Sequence, residues 1–380
     1  MDQLHAEVTR SIQLLDEIRA EIARCGPMRF SRFMDLALYH SSLGYYRTHP
    51  GATTRAGDFL TAPETHPAFG ALLARFALAC RRALGDSAFA VVEQGSGTGS
   101  LAEAFTGYWR ASRPRDPLRY VVVEPDADAR RRLSARLGSA VEAVETLGDA
   151  GPVEGLFLSN ELLDAFPVDR IRRRNGELVS VDVDAAGDRL VECERPAPED
   201  DSRWLEASGI DLIEGNEIEV CPGLEGWVRS VSGALTRGYV LTIDYGYEAG
   251  DVPRMPRGTM LAHYRHGLSE EFLQRVGLQD LTAHVCWDAV ERLGAAAGLM
   301  MMERQSQRTF LARWGWKEFA LWKLALPDAA SDEMDAIDRL GRADALGGLD
   351  VMLQAVGDAP APNPADAGAP AWDAIAPFGF

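Results

Sequence analysis

The sequence predicts an α/β fold: a parallel, buried sheet carrying a helical N-terminal cap and two insertions. Three observations carry that prediction. Apolar strands at Phe89–Val92 and Tyr120–Val123 flank a glycine turn and a helical stretch, the layout of a βαβ unit. Short apolar runs at Leu156–Leu158 and Tyr239–Ile243 supply a third and a fourth strand. The 380 residues are 46% hydrophobic and 25% charged, which suits one large α/β body with excursions and excludes a chain that is mainly disordered.

Each element has its own signal. Leu4, Val8, Ile12, Leu15, Ile18 and Ile22 recur at three- and four-residue steps, an amphipathic helix that stops near Gly26-Pro27. Helical stretches at Phe30–Tyr39 and His66–Ala83, joined by a connection containing Gly44, Gly51 and Gly57, complete a cap over residues 1–85. The main domain then runs over 86–355, with a helix from about residue 100 and a charged helix near 126–137. Alternating apolar and polar residues around Asn175-Gly176 and Ala186-Gly187 predict hairpins in a first insertion at about 168–220. A second insertion, 246–285, is rich in Gly, Arg and His. Helices near 287–298 and 316–325 and a strand at Val351–Ala355 close the domain. Residues 356–380, rich in Pro and Ala, read as a flexible tail with Trp372, Phe378 and Phe380 as docking points.

Charge and composition narrow the partners. Lys and Arg number 39 against 57 Asp and Glu, a net charge of −18 that repels phosphate and leaves no footprint for nucleic acid. A neutral or cationic ligand fits better. No apolar run is long enough for a membrane span, and the acidic N-terminal stretch resembles neither a signal nor a transit peptide, so a cytoplasmic location is expected. Five scattered cysteines without a C-x-x-C pair predict reduced thiols and no metal.

The chemistry centres on Glu93-Gln94-Gly95-Ser96-Gly97-Thr98-Gly99-Ser100. Glycines between a strand and a helix let a ligand approach the backbone at a helix N-terminus, a pattern that dinucleotide enzymes share. The flanking acids favour another ligand. Glu93 would repel a pyrophosphate and attract the ammonium and sulfonium of S-adenosyl-L-methionine, and Glu124, ending the second strand, is placed to accept from ribose hydroxyls. After the third strand, Asn160, Glu161 and Asp164 face whatever lies beside the cofactor, although Asn and Asp also suit helix capping there.

In order along roughly residues 28–355 stand Ser42-Leu43-Gly44-Tyr45-Tyr46, Gly57-Asp58-Phe59-Leu60-Thr61-Ala62-Pro63-Glu64 and the glycine turn. Asn160 to Val168, Ile243-Asp244-Tyr245-Gly246-Tyr247, Arg257-Gly258-Thr259 and Asp280 to Val285 follow. With these motifs the chain resembles the MidA-type family of class I, Rossmann-like methyltransferases. The resemblance implies S-adenosylmethionine-dependent symmetric dimethylation of a protein arginine. It assigns cofactor binding to Asp58, Thr61, Glu93, Gly95, Gly97, Gly99, Glu124 and Asn160, with Asp58 and Thr61 closing over the donor from the cap. Two departures stand out: Ser96 and Thr98 within the turn, and Cys286-Trp287 where the family carries Asp-Phe.

A guanidinium acceptor needs carboxylates to orient it and take its proton, for which Glu161 and Asp164 are the candidates and Asp244 a further one. A hydroxyl or carboxylate acceptor would want a base or a cationic clamp instead. His263 and His284 are candidate catalytic groups of that kind, and Arg257, His263, Arg265 and His266 cluster in the second insertion. The partner is thus a protein or small-molecule methyl acceptor, with neither nucleic acid nor membrane, and a homodimer is compatible with the chain. Two rival readings stay open. One is a small-molecule O- or N-methyltransferase whose pocket is lined by Tyr245, Tyr247, Tyr264 and Trp287; the other is a non-catalytic assembly factor on a cofactor fold.

Overall fold

Residues 2–49, 60–86, 88–112, 118–265, 267–326 and 330–375 are described by the computed structural model. Helices α1 (Asp2–Cys25) and α2 (Phe30–Tyr39), the single turns α3 (Tyr45–Thr48) and α4 (Ala62–Thr65), and α5 (Ala68–Ala83) lead into the sheet. Then come β1 (Ala90–Gln94), α6 (Ser100–Ala111), β2 (Arg119–Val123), α7 (Ala127–Leu137), β3 (Glu142–Val144), α8 (Leu147–Ala150) and β4 (Val153–Asn160). The first insertion holds β5 (Asp169–Arg174), β6 (Glu177–Ala186), β7 (Arg189–Pro196), α9 (Glu199–Ser208) and β8 (Glu217–Val220). After α10 (Leu224–Ala234) and β9 (Leu235–Asp244), the second insertion holds β10 (Gly246–Tyr247), β11 (Leu261–Tyr264), β12 (Gly267–Ser269), β13 (Asp280–Thr282) and β14 (Val285–Cys286). The chain closes with α11 (Trp287–Ala296), β15 (Leu299–Ser306), α12 (Gln307–Arg313), α13 (Trp316–Leu324), α14 (Ser331–Gly341) and β16 (Asp350–Val356).

The central sheet has the order β15-β16-β9-β4-β1-β2-β3. Pairs β9–β4, β4–β1, β1–β2 and β2–β3 are parallel, and β16 alone runs antiparallel between β9 and β15. Both faces are buried, which explains the continuous apolar runs in its strands. Val91, Tyr120, Leu156, Leu158 and Leu241 face one core with α5, α6 and α12 to α14; Val92, Val121, Phe157 and Val240 face a second core with α10 and α11. The strand order reverses at β1, with β2 and β3 added on one side and β4 and β9 on the other, so the crevice beyond the carboxyl ends of β1 and β4 is the switch point where α/β sheets bind ligands.

Two expectations need correction. Helix α5 belongs to the main body rather than the cap: its residues are buried nearly all round because it lies between α6 and the C-terminal segment. That segment is docked over 359–375 rather than free. Trp372 packs against Phe319 and Tyr108, the Arg75 guanidinium stacks on it, and the Tyr239 hydroxyl donates to the Pro360 carbonyl. Phe378 and Phe380 lie outside the described residues. A third core joins α1 and α2 to both insertions, with Phe30, Phe33 and Leu38 against Val168, Val183, Met260 and Leu281. The helical cap and the two inserted sheets, β7-β6-β5-β8 and β12-β11-β13, therefore form one lobe above the switch point.

Candidate active site

The first half of the site is the turn after β1. Gly95, Gly97 and Gly99 all have positive φ (+81°, +54° and +87°), so the turn needs residues without a Cβ penalty. Packing adds a second requirement at two of them. A Cβ on Gly95 would lie 2.9 Å from Cδ1 of Leu162, and one on Gly99 2.8 Å from Cδ2 of Leu133. The Ser96 hydroxyl is buried without a protein partner. Glu93 is 2% exposed and accepts from the Tyr120 hydroxyl at 2.6 Å; burial raises its pKa to about 7. Glu124 follows β2, its carboxylate accepting from the Asp126 amide at 2.8 Å, and burial raises its pKa too.

The second half is the loop after β4. Glu161 sits at φ +46°, its amide donating to the Ile243 carbonyl at 2.8 Å. The next three amides, of Leu162, Leu163 and Asp164, all point at Asp244 Oδ2, while the Tyr245 amide donates to Oδ1. Asp244, fully buried, is thus the clamp that shapes the acidic loop, a positioning role rather than the acceptor-side role considered from sequence. Glu161 Oε1 accepts from Asn160 Nδ2 at 2.9 Å and from the Ala62 amide at 3.2 Å. Burial, then the Asp164 charge, pushes Glu161 up to about 7, and burial pushes Asp164 to about 7 as well. Asn160 Oδ1 is buried with no partner.

The cap bridges the two halves. Ala62 reaches Glu161, and Glu64 accepts from the Thr98 hydroxyl in the glycine turn. Thr61, buried, precedes this turn of helix; Asp58 lies outside the described residues. Farther out, Tyr245 stacks on His284, ring centroids 5.9 Å apart, and the His284 amide donates to the Thr259 hydroxyl, which itself donates to buried Glu219. Burial lowers the His284 pKa, favouring neutral imidazole. His263 sits on β11 with Nε2 3.2 Å from the Thr282 hydroxyl. Tyr39 and Tyr46 pack together, the Tyr39 hydroxyl donating to the Ala165 carbonyl and the Tyr46 hydroxyl to Asp280. Sequence reasoning assigned no role to Tyr39, Tyr46 or Glu219. Tyr46 lay inside a quoted motif, but Tyr39 and Glu219 carried no spacing signal at all.

Several residues expected on the acceptor side lie elsewhere. Tyr247 and Trp287 are 4% and 1% exposed within the second core, and Gly246 presses against the Trp287 indole. Cys286 is buried there too, its thiol pushed up to about 11, which leaves it an inert filler. Arg257 pairs with Glu270 and Arg265 with Glu7, so the basic cluster is locally neutralised; His266 lies outside the described residues.

A glycine turn after β1, an acid after β2 and an acidic loop after β4 on this strand order define a class I S-adenosyl-L-methionine-dependent methyltransferase. The model of a family described as S-adenosyl-L-methionine-dependent methyltransferases matches residues 72–304. The chain belongs to this family, the MidA-type group that its motifs resemble. The mouse mitochondrial protein arginine methyltransferase NDUFAF7 is 28% identical over 349 residues, 82% of this chain and 76% of the mouse protein. The human counterpart is 25% identical over 347 residues, 80% and 73% of the two chains. A crystal structure from Burkholderia thailandensis bound to S-adenosyl-homocysteine superposes with a TM-score of 0.84 at 29% identity, covering 95% of this chain and 96% of that one. The expected cytoplasmic location is overturned, since these curated relatives are named as mitochondrial proteins. Among the described residues, no helix is long and apolar enough to cross a membrane.

Proposed function

We propose that this methyltransferase acts on the guanidinium of a protein arginine. One observation carries the reading. Asp164 is buried and Glu161 half-buried at the switch point, and among the described residues neither is ion-paired to a basic side chain. Two such acids are costly to ionise together unless a cation arrives from outside. An arginine side chain is that cation, and its planar fork matches a carboxylate pair. The names of the mouse and human relatives agree with it.

The residues present fit the donor. The unpartnered Ser96 hydroxyl and Asn160 Oδ1 face polar-group needs that the protein leaves unmet, and Glu93, Glu124 and the cap segment from Thr61 would hold the rest. Bound S-adenosylmethionine supplies an electrophilic methyl on a sulfonium. Glu161 and Asp164 would orient the acceptor nitrogen and take the proton the guanidinium sheds as that nitrogen gains the methyl the sulfonium gives up. Ala62 and Glu64 hold the cap against both loops and exclude water. The small-molecule alternative loses half of its expected lining, because Tyr247 and Trp287 are core residues. Incubating a lysate with labelled donor and locating the label by mass spectrometry tests the proposal. Methylarginine in protein is the expected result; label confined to small molecules would reject it.

A further inference from the structure

Two large aromatic side chains stay exposed beside the acidic loop when most rings of the molecule are buried: Tyr39 is 43% exposed and Tyr245 36% exposed. They come from different parts of the fold. Tyr39 ends α2 in the lobe, and its hydroxyl is tied to the Ala165 carbonyl, one residue beyond Asp164. Tyr245 follows β9; its amide is held by Asp244, the same carboxylate that grips the amides of Leu162 to Asp164. Each ring is backed by a second one, Tyr39 by Tyr46 at 5.4 Å and Tyr245 by His284 at 5.9 Å. Burial of the hydroxyl first, and then neighbouring carboxylates that include Asp164 in both cases, raise the pKa of both tyrosines, so both lie within reach of its charge.

We infer that Tyr39 and Tyr245 are the two walls of the acceptor slot, receiving a flat cation between aromatic faces while Glu161 and Asp164 meet its edge. This deepens the arginine reading and rests on it. The chemistry is selective. Aromatic faces attract a guanidinium by cation–π and planar stacking, whereas a neutral urea of the same shape gains no charge term from either the rings or the acids. The backing rings matter because an exposed tyrosine alone would lose side-chain freedom on binding; Tyr46 and His284 hold the walls in place beforehand. Buried Glu219, which fixes Thr259 and through it the His284 backbone, extends that support on the β9 side.

The test measures binding of the blocked peptide acetyl-Gly-Arg-Gly-amide to full-length protein saturated with S-adenosylhomocysteine, with the citrulline peptide as the uncharged control. The arginine peptide should bind and the citrulline peptide should bind at least tenfold more weakly. Tyr39→Ala and Tyr245→Ala should each weaken the arginine peptide by about tenfold, with S-adenosylhomocysteine affinity within twofold of wild type as the check on folding. Tyr39→Phe, which keeps the ring and loses only the tether to Ala165, should stay within threefold. Alanine variants that bind like wild type, or a citrulline peptide that binds equally well, would overturn the inference. If wild type still labels protein arginine in a lysate, the functional reading survives that failure; if it labels none, both fall.

Discussion

Glu161 is held at φ +46°, a conformation that costs a non-glycine residue on the order of 1–3 kcal/mol. The surroundings over-determine it: its amide is spent on Ile243, and Asp244 fixes the three amides that follow. The strain turns its carboxylate toward Asn160 and the cap. Glu161→Gln should therefore cut turnover roughly 10²–10⁴-fold with donor affinity unchanged. Because Glu161 and Asp164 are both raised to about 7, activity of the wild type should climb with pH through 7 as the pair ionises. A flat profile between pH 6 and 8 would contradict this. Glu93 makes a matching statement about stability. Its folded pKa of about 7 exceeds the ordinary glutamate value of 4.5, so its favourable contribution is complete below pH 4.5 and lost as pH rises to 7. Glu93→Gln should remove that loss, up to about 3 kcal/mol at pH 8, and the gap between thermal melts at pH 5 and pH 8 should narrow in the variant without closing, since Glu161 and Asp164 keep theirs.

At the scale of elements, the glycine turn was legible in sequence and only half understood. Its spacing announced a ligand loop, but the reason Gly95 must be glycine includes Leu162, a residue from the loop after β4. Contacts between distant segments leave no mark in local spacing, and the same blindness hid Tyr39 and Glu219. Gly95→Ala should cost on the order of 1–3 kcal/mol and lower donor affinity as well, since φ of +81° strains any side chain there and the methyl group would push Cδ1 of Leu162 aside. Calorimetric titration would detect it. Strands β1, β2, β4, β9 and β16 were each visible as apolar runs because both faces of the sheet are buried. Strand β15, with Met300 to Met302 followed by Glu303, Arg304 and Gln305, reads as neither alternating nor apolar, because it is an edge paired on one side only. Helices α10, α12 and α14 also escaped prediction; short and interrupted by glycine or polar residues, they owe their helicity to packing on the sheet.

At the scale of the whole molecule, the net charge of −18 acquires a use. A protein that carries arginine toward this surface is drawn in by the long-range field, and the attraction is screened over a Debye length of about 8 Å at physiological salt. The KM for a basic protein acceptor should rise severalfold between 50 and 300 mM salt with kcat little changed; independence from salt would show that the field plays no part. The cap packs against both insertions through the third core, while the insertions also reach the second core through Ile171, Ile218 and Val252, so loss of the third core should loosen the cap most. Phe33→Ala, at a fully buried position of that core, should cost about 3–5 kcal/mol.

Strand β16 pairs Asp350 with Asp244, and its Asp350 carboxylate also accepts from the Trp287 indole. The strand bearing the clamp of the acidic loop is therefore completed by residues made more than a hundred positions later. A ribosome that has finished the glycine turn and the acidic loop has still not supplied the strand that completes the sheet behind them. Nascent chains arrested at residue 345 should bind no S-adenosylmethionine, and full-length chains should bind it. On that outcome, synthesis itself sets the moment at which the enzyme becomes competent, and an interrupted translation product neither methylates an acceptor nor sequesters the donor.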